Sequence, residues 1–178
     1  MSEPVVSLSG SESLQLFRRG GAVISDDGVY RYRLWRVLDD SSTRTMTFVM
    51  LNPSTADTER NDPTIRRCIG FARREGCNRL DVVNLYAYRA TNPAVLLQAA
   101  EDGLDVVGPD NEAHWADVLP GAAVVVVAWG SYARLLPGTL PSPLRYRPEV
   151  MCLGRTKHGR MPRHPLYVRG DQPLERWP

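Results

Sequence analysis

Apolar positions along the chain switch between two periods, and the switches mark the elements. Ala22 to Ser25 and Val29 to Leu38 are short apolar or alternating runs joined by Asp26-Asp27-Gly28. Asp-Gly suits the positive φ angles of tight turns, so the pair predicts a hairpin, closed by Asp39-Asp40-Ser41-Ser42. Thr45 to Leu51, rich in β-branched and large apolar residues, predicts a buried strand running straight into Asn52-Pro53. The period then changes. Ile65, Cys68, Ile69 and Ala72 fall at i, i+3, i+4 and i+7. Asp62 suits the cap, Pro63 the first helical position and Gly76 a left-handed stop. Arg66, Arg67, Arg73 and Arg74 lie mostly off that stripe and read as a solvated face.

Leu80 to Asn84 predicts another strand, and Asn92-Pro93 starts a helix through about Glu101. The Gly-Pro-Asp-Asn turn at 108–111 precedes a helix through Val118. Ala122 to Ala128 is a continuous apolar run, the pattern of a strand buried on both faces. A short helix near Ser131 and a strand from Glu149 to Leu153 complete the series. Strands separated by helices predict an α/β fold: a mainly parallel central sheet with helices on both faces, preceded by an antiparallel hairpin. Residues 1–13, rich in Ser, Gly and Pro, read as a flexible arm, and 14–178 as a single α/β domain.

Composition narrows the setting more than the chemistry. At 178 residues, with 43% hydrophobic and 24% charged residues, the chain suits one globular domain with one site. Three cysteines, no charged-then-apolar leader and no run near the ~18 residues of a membrane span predict a cytoplasmic, non-membrane protein without a disulfide framework. The formal charge of +2 is too small to demand nucleic acid, although Lys157 is the only lysine among the basic residues. Arginine favours phosphates and planar polar ligands, but a genome rich in Arg codons gives the same count. The cysteine and histidine spacings fit no metal site, and no cofactor or obligate protein partner is expected.

In an open parallel sheet, ligands bind beyond the C-terminal strand ends. Four groups arrive there: Asn52-Pro53-Ser54, Asn84, Trp129-Gly130-Ser131, and the loop from Gly154 to His164-Pro165. Each has a plain alternative. Asn52 can mimic a backbone turn, Asn84 can satisfy a strand end, and Trp129 can be core. His114 reads as a helix-surface residue, and Asp57 as a solvated loop charge. Arg155, Lys157, His158, Arg160 and Arg163 form either a phosphate-gripping segment or an ordinary solvated loop.

Leu-Asn-Pro-Ser-Thr-Ala-Asp at 51–57, Asp-Pro-Thr-Ile-Arg-Arg-Cys at 62–68, Asn-Leu-Tyr-Ala-Tyr-Arg-Ala-Thr at 84–91, Ala-Trp-Gly at 128–130 and Pro-Arg-His-Pro-Leu-Tyr at 162–167 resemble a bacterial family known only as domain of unknown function 1643. That likeness covers about 26–168 and brings no activity with it. More distantly, the chain resembles the uracil-DNA glycosylase superfamily at four landmarks in order: Val49 to Ser54, Val82 to Leu85, Val126 to Ala133, and His164-Pro165-Leu166. This second resemblance implies hydrolysis of a base–sugar bond. In it, Asn52 places the water and His164 donates to the departing base. Asn84 reads the base edge, Pro53 and Ser54 shape its pocket, Tyr86 or Tyr88 stacks on it, and Leu166 wedges into the vacated stack. Ser131, Arg155, Lys157, Arg160 and Arg163 then hold phosphates.

Asn52 departs from the aspartate of the uracil-specific branch, since an amide cannot take a proton at neutral pH. Asp57, or Asp62, is the candidate general base. The expected partner is DNA carrying an unusual or damaged base, or a nucleotide. A hydrolase of free nucleosides or nucleotides and a non-catalytic base-binding module are the alternatives.

Overall fold

The structure is a computed structural model that describes residues 19–41, 44–54, 61–136, 142–146, 149–157 and 161–178. The expected arm at 1–13 lies outside the described residues. The strands are β1 (Gly20–Ile24), β2 (Arg31–Val37), β3 (Thr45–Met50), β4 (Arg79–Asn84), β5 (Val124–Val127), β6 (Met151–Cys152) and β7 (Glu175–Arg176). The α-helices are α1 (Pro63–Arg74), α2 (Pro93–Glu101) and α3 (Asn111–Val118). All seven strands form one sheet in the order β1-β2-β4-β3-β5-β6-β7.

That sheet corrects the expectation of a mainly parallel one. β4, β3, β5 and β6 run parallel, but β1–β2, β2–β4 and β6–β7 pair antiparallel, so the sheet is mixed. The N-terminal hairpin does not stand apart from the sheet. β2 docks along β4 with Leu34 opposite Val82 and extends the sheet outward. β7 sits in the C-terminal segment, too short to carry a periodic signal.

Successive side chains of a strand point to opposite faces, and β3 divides the core that way. Met46, Phe48 and Met50 pack with Ile65, Cys68, Phe71 and Ala72 of α1. Val49 and Leu51 pack with Leu96 and Ala99 of α2 and with Trp115 and Val118 of α3. One helix therefore covers one face and two the other. The chain leaving β3 enters α1, while the chain leaving β4 enters α2 and α3 on the opposite face. A crevice opens where such connections diverge.

Local chemistry sets the helix starts. The Asp62 carboxylate accepts the Ile65 amide at 2.7 Å and Pro63 takes the first position of α1. Asn92 caps α2 by accepting the Ala94 amide at 2.9 Å. The reading of the α1 arginines as a solvated face fails for Arg67, which is partly buried, and Arg74, although exposed, also has protein partners. Arg67 donates to the carbonyls of Pro165 and Val168, and Arg74 to those of Gly170 and Gln172 at 2.9 and 2.8 Å. Both guanidiniums also lie over the Phe71 ring. Together they fasten the C-terminal segment to α1.

The end of β4 is fastened from the α3 side. Fully buried Asn111 donates through Nδ2 to the carbonyls of Asn84 (3.1 Å) and Leu85 (3.2 Å), and the Trp115 indole donates to Asn84 at 3.0 Å. Asn111→Ala leaves the Leu85 carbonyl without its side-chain donor and is expected to lower the unfolding free energy by ~1–3 kcal/mol. Urea denaturation reads it; a midpoint equal to wild type at unchanged slope would remove Asn111 as the anchor.

Candidate functional site

At the C-terminal ends of β3, β4 and β5 lies a cavity of about 440 Å3. Asn52, Ser54, Asn84, Ser131, Arg163, His164 and Leu166, all candidates from the sequence, line it together. A larger groove of about 890 Å3 lies at the opposite, N-terminal edge of β5 and β6, away from every one of them.

Asn84 is 1% exposed, and neither Nδ2 nor Oδ1 of its side chain has a hydrogen-bond partner. Its backbone is held by Asn111 and Trp115, so the side chain is left as two donors and one acceptor facing the cavity. Leaving a buried amide unpaired costs ~1–3 kcal/mol. Two further lining residues share this condition: Nε of Arg31 and Nε1 of Trp129 are buried without partners. Trp129 meets both descriptions given to it. It packs edge-on against Trp177 in the core, with ring centroids 5.8 Å apart, and also borders the cavity.

His164 is partly buried, and burial lowers its pKa below the ordinary histidine value, against a smaller opposing pull from the Asp62 carboxylate. Its Nδ1 accepts the Leu166 amide at 3.3 Å, which leaves Nε2 as the protonated nitrogen of the neutral ring. Gly130 adopts φ +75°, and a side chain there would meet His164 Cβ at 3.7 Å. Its amide donates to Pro162 at 2.9 Å, tying the two loops together.

Asn52 is a partial turn former. Its Nδ2 donates to the carbonyls of Pro53 (3.1 Å) and Ala90 (2.8 Å), which locks the loop after β4 to the loop after β3. Only its carbonyl oxygen remains for a ligand. Asp62 works twice: Oδ1 caps α1 and Oδ2 accepts the Ser54 hydroxyl at 3.1 Å, and the residue also lines the cavity.

Several expected residues do not line the cavity. Tyr86 is 3% exposed in the core beside α2 and α3, and burial pushes its hydroxyl up to about 12, so it is no base-stacking platform. Tyr88 packs against the same core and, edge-on, against Tyr30. Pro53 is buried beneath the loop, its carbonyl accepting the Ala90 amide at 3.0 Å. Arg155 and Lys157 are exposed on a narrow hairpin, where Arg155 pairs with Pro162 and the Thr156 amide donates to Met161 at 2.9 Å. Asp57, His158 and Arg160 lie outside the described residues. His114, read as a surface residue, stacks on Tyr32 with centroids 5.1 Å apart, away from the cavity.

The cavity also contains residues that received no site role from the sequence: Arg31, Thr64, Tyr132, Thr156 and Tyr167. Tyr132, Leu166 and Tyr167 are 42%, 41% and 74% exposed, which puts a rim of large apolar side chains around the mouth. Arg31 escapes a reading by alternation because the β1–β2 register slips between Val23 and Ile24, whose partners are Arg33 and Arg31. The skipped residue is Tyr32, and such a bulge re-aims the side chains beyond it.

A mixed α/β sheet with a polar, partly unsatisfied cavity at its C-terminal strand ends defines the class. The chain belongs to the family described as protein of unknown function (DUF1643), whose model matches residues 31–166, roughly three quarters of its length. No curated protein and no solved structure matches the chain. Among the described residues no group of three ligating side chains could hold a metal ion, and no helix is long and apolar enough to cross a membrane.

Asn84→Leu removes the unpaired amide and has cavity space to occupy, so it is expected to raise the unfolding free energy by ~1–3 kcal/mol. Loss of stability in urea denaturation would mean that the amide has a structural partner. For His164, the depressed pKa means that its stability contribution is complete above the unfolded value and is lost as pH falls through the lower folded value. His164→Gln should therefore flatten the fall in unfolding free energy as pH drops below about 6.5; an unchanged slope would contradict it.

Proposed function

We propose that the protein hydrolyses the N-glycosidic bond of an unusual, modified or damaged base in DNA, holding the base in the cavity at the ends of β3, β4 and β5. The observation that carries this reading is the buried, unpartnered amide of Asn84 in a cavity that also holds Asn52 and His164. A donor–acceptor edge of that kind complements the Watson–Crick edge of a base. Base recognition and bond cleavage both need these groups at one place, and they share one cavity.

In this reading water attacks the anomeric carbon, the C–N bond breaks, and its electron pair leaves with the base. The Nε2–H of His164 donates to the base oxygen where negative charge gathers, a role worth ~3–4 kcal/mol in a water-excluded pocket. Asn52 presents its carbonyl oxygen to the water. The Asp62 carboxylate takes the water's proton, which an amide cannot do. Tyr132, Leu166 and Tyr167 at the mouth stack on or wedge between neighbouring bases, and Arg163, with Arg155 and Lys157 outside, meets phosphates.

The finer kinship, a uracil-DNA glycosylase-like fold, belongs to the same proposal and rests on the four ordered motifs. We place the protein in the cytoplasm, a reading supported by its three free, buried cysteines. A second reading, hydrolysis of free nucleosides or nucleotides, is favoured by the net charge of +2. Salt separates the two, because binding that neutralises several DNA phosphates weakens steeply as salt rises.

The direct measurement uses oligonucleotides carrying uracil, hydroxymethyluracil and other modified bases, with abasic sites revealed by alkali. Strand breaks at one modified base are expected, reduced ~100–1,000-fold in rate by His164→Ala and also reduced by Asp62→Asn. Intact strands across the panel would sink the DNA reading. Tight base binding without turnover would turn the assignment to a binding module.

A further inference from the structure

Arg31 is 5% exposed, lines the cavity, and makes no side-chain hydrogen bond or ion pair with any described residue. A guanidinium whose Nε is buried without a partner, and which no described residue pairs, is costly, because burial removes hydration that nothing among those residues returns. Proteins keep such a group where a ligand completes it. We infer that Arg31 is the receptor for an oxyanion, a carboxylate or a phosphate, carried by the same small ligand whose polar edge meets Asn84.

Three features argue for this pairing. First, Arg31 borders β4 directly: its backbone amide donates to the Ala87 carbonyl at 2.9 Å, just beyond Asn84. Second, Asp62, the carboxylate nearest in effect, is engaged by the Ile65 amide and the Ser54 hydroxyl and does not reach ion-pair distance of Arg31. Third, the guanidinium presents a planar fork that matches an oxyanion with two parallel bonds, which a neutral carbonyl cannot fill. Burial lowers its pKa to about 10, partly offset by Asp62, and the group remains charged at neutral pH. The cavity's volume of about 440 Å3 suits a small molecule or one flipped nucleotide.

The oxyanion has two possible sources. It is a carboxylate on the base itself, or the phosphate of a nucleotide that enters whole. Both give the site the same chemistry, and the probes below separate them. The inference rests on the cavity being the ligand site but not on bond cleavage. Binding is measured rather than turnover, so a failure here and a failure of the hydrolase reading are distinguishable.

The test is thermal unfolding of the full chain at matched ionic strength in chloride, in inorganic phosphate and in acetate. It is repeated with uracil against uracil-6-carboxylate and with deoxyuridine against its 5′-monophosphate. At saturating anion the wild-type Tm is expected to rise by about 2–4 °C over chloride. Arg31→Gln should abolish that rise, and Arg73→Gln on the exposed side of α1 should keep it. A rise confined to carboxylates places the anion on the base; one confined to phosphates places it on the nucleotide.

Arg31→Gln should also match or exceed the wild-type Tm in chloride, since it removes a buried charge that no described residue pairs. A merely structural arginine would instead lower it. If Arg31→Gln does not fold, Arg31→Lys, which keeps charge without the fork, is expected to retain less than half of the rise. No anion-dependent rise in wild type, or a rise that survives Arg31→Gln, overturns the inference.

Discussion

The carbonyl oxygen of Asn84 accepts two hydrogen bonds from behind, from the Asn111 amide and the Trp115 indole. Strand ends usually leave such groups to water. Here α3 supplies the donors, and the last residue of β4 is held with its backbone fully engaged on one face of the sheet. Its side chain, alternating with Val83 and Leu85, lies on the other face, where neither polar atom has a hydrogen-bond partner. An amide in that condition survives only because the packing around it over-determines its position, and strain or unsatisfied polarity of that kind gathers at functional sites.

The same logic runs outward through the fold. β3 is buried on both faces, so its two sets of side chains commit α1 to one side and α2 and α3 to the other. The crevice between the diverging connections is therefore a product of core packing. What closes it is less obvious: Arg67 and Arg74 of α1 reach the carbonyls of residues 165–172 and draw the His164 segment over the opening. Gly130, bonded to Pro162, holds the other bank. The cavity wall is thus assembled from segments distant in sequence and joined through backbone carbonyls.

Much of this was legible in the chain. Asp62-Pro63, Asn92-Pro93 and the apolar run at 122–128 specify their elements by local chemistry, and local chemistry is what a sequence displays directly. The convergence of Asn52, Asn84, Ser131 and His164 follows from strand ends, given a parallel centre. The failures have separate causes. Arg67 was assigned to solvent because a helical stripe says which face is apolar, not what later segment of chain will cover the other. Tyr86 or Tyr88 was offered as a platform through the resemblance, whereas backbone bonds from Leu85 and Tyr86 to the carbonyls of Met50 and Leu51 continue the pairing and carry Tyr86 into the core. Arg31 was passed over because a single skipped residue opposite β1 breaks the alternation on which the reading depends. β7 and the antiparallel docking of β2 on β4 are long-range pairings without a local signature.

Asp62 carries one more implication. Its two oxygens serve the first turn of α1 and the Ser54 hydroxyl, and both face a space built to receive a ligand. Any incoming group that seeks this carboxylate competes with a helix terminus for the same lone pairs. Occupancy of the cavity and the integrity of the opening turn of α1 are then linked quantities: a ligand that takes a proton or a hydrogen bond to Asp62 loosens the cap, and a helix that frays releases the acid. The residue that starts the helix also borders the cavity, so the two cannot be altered independently.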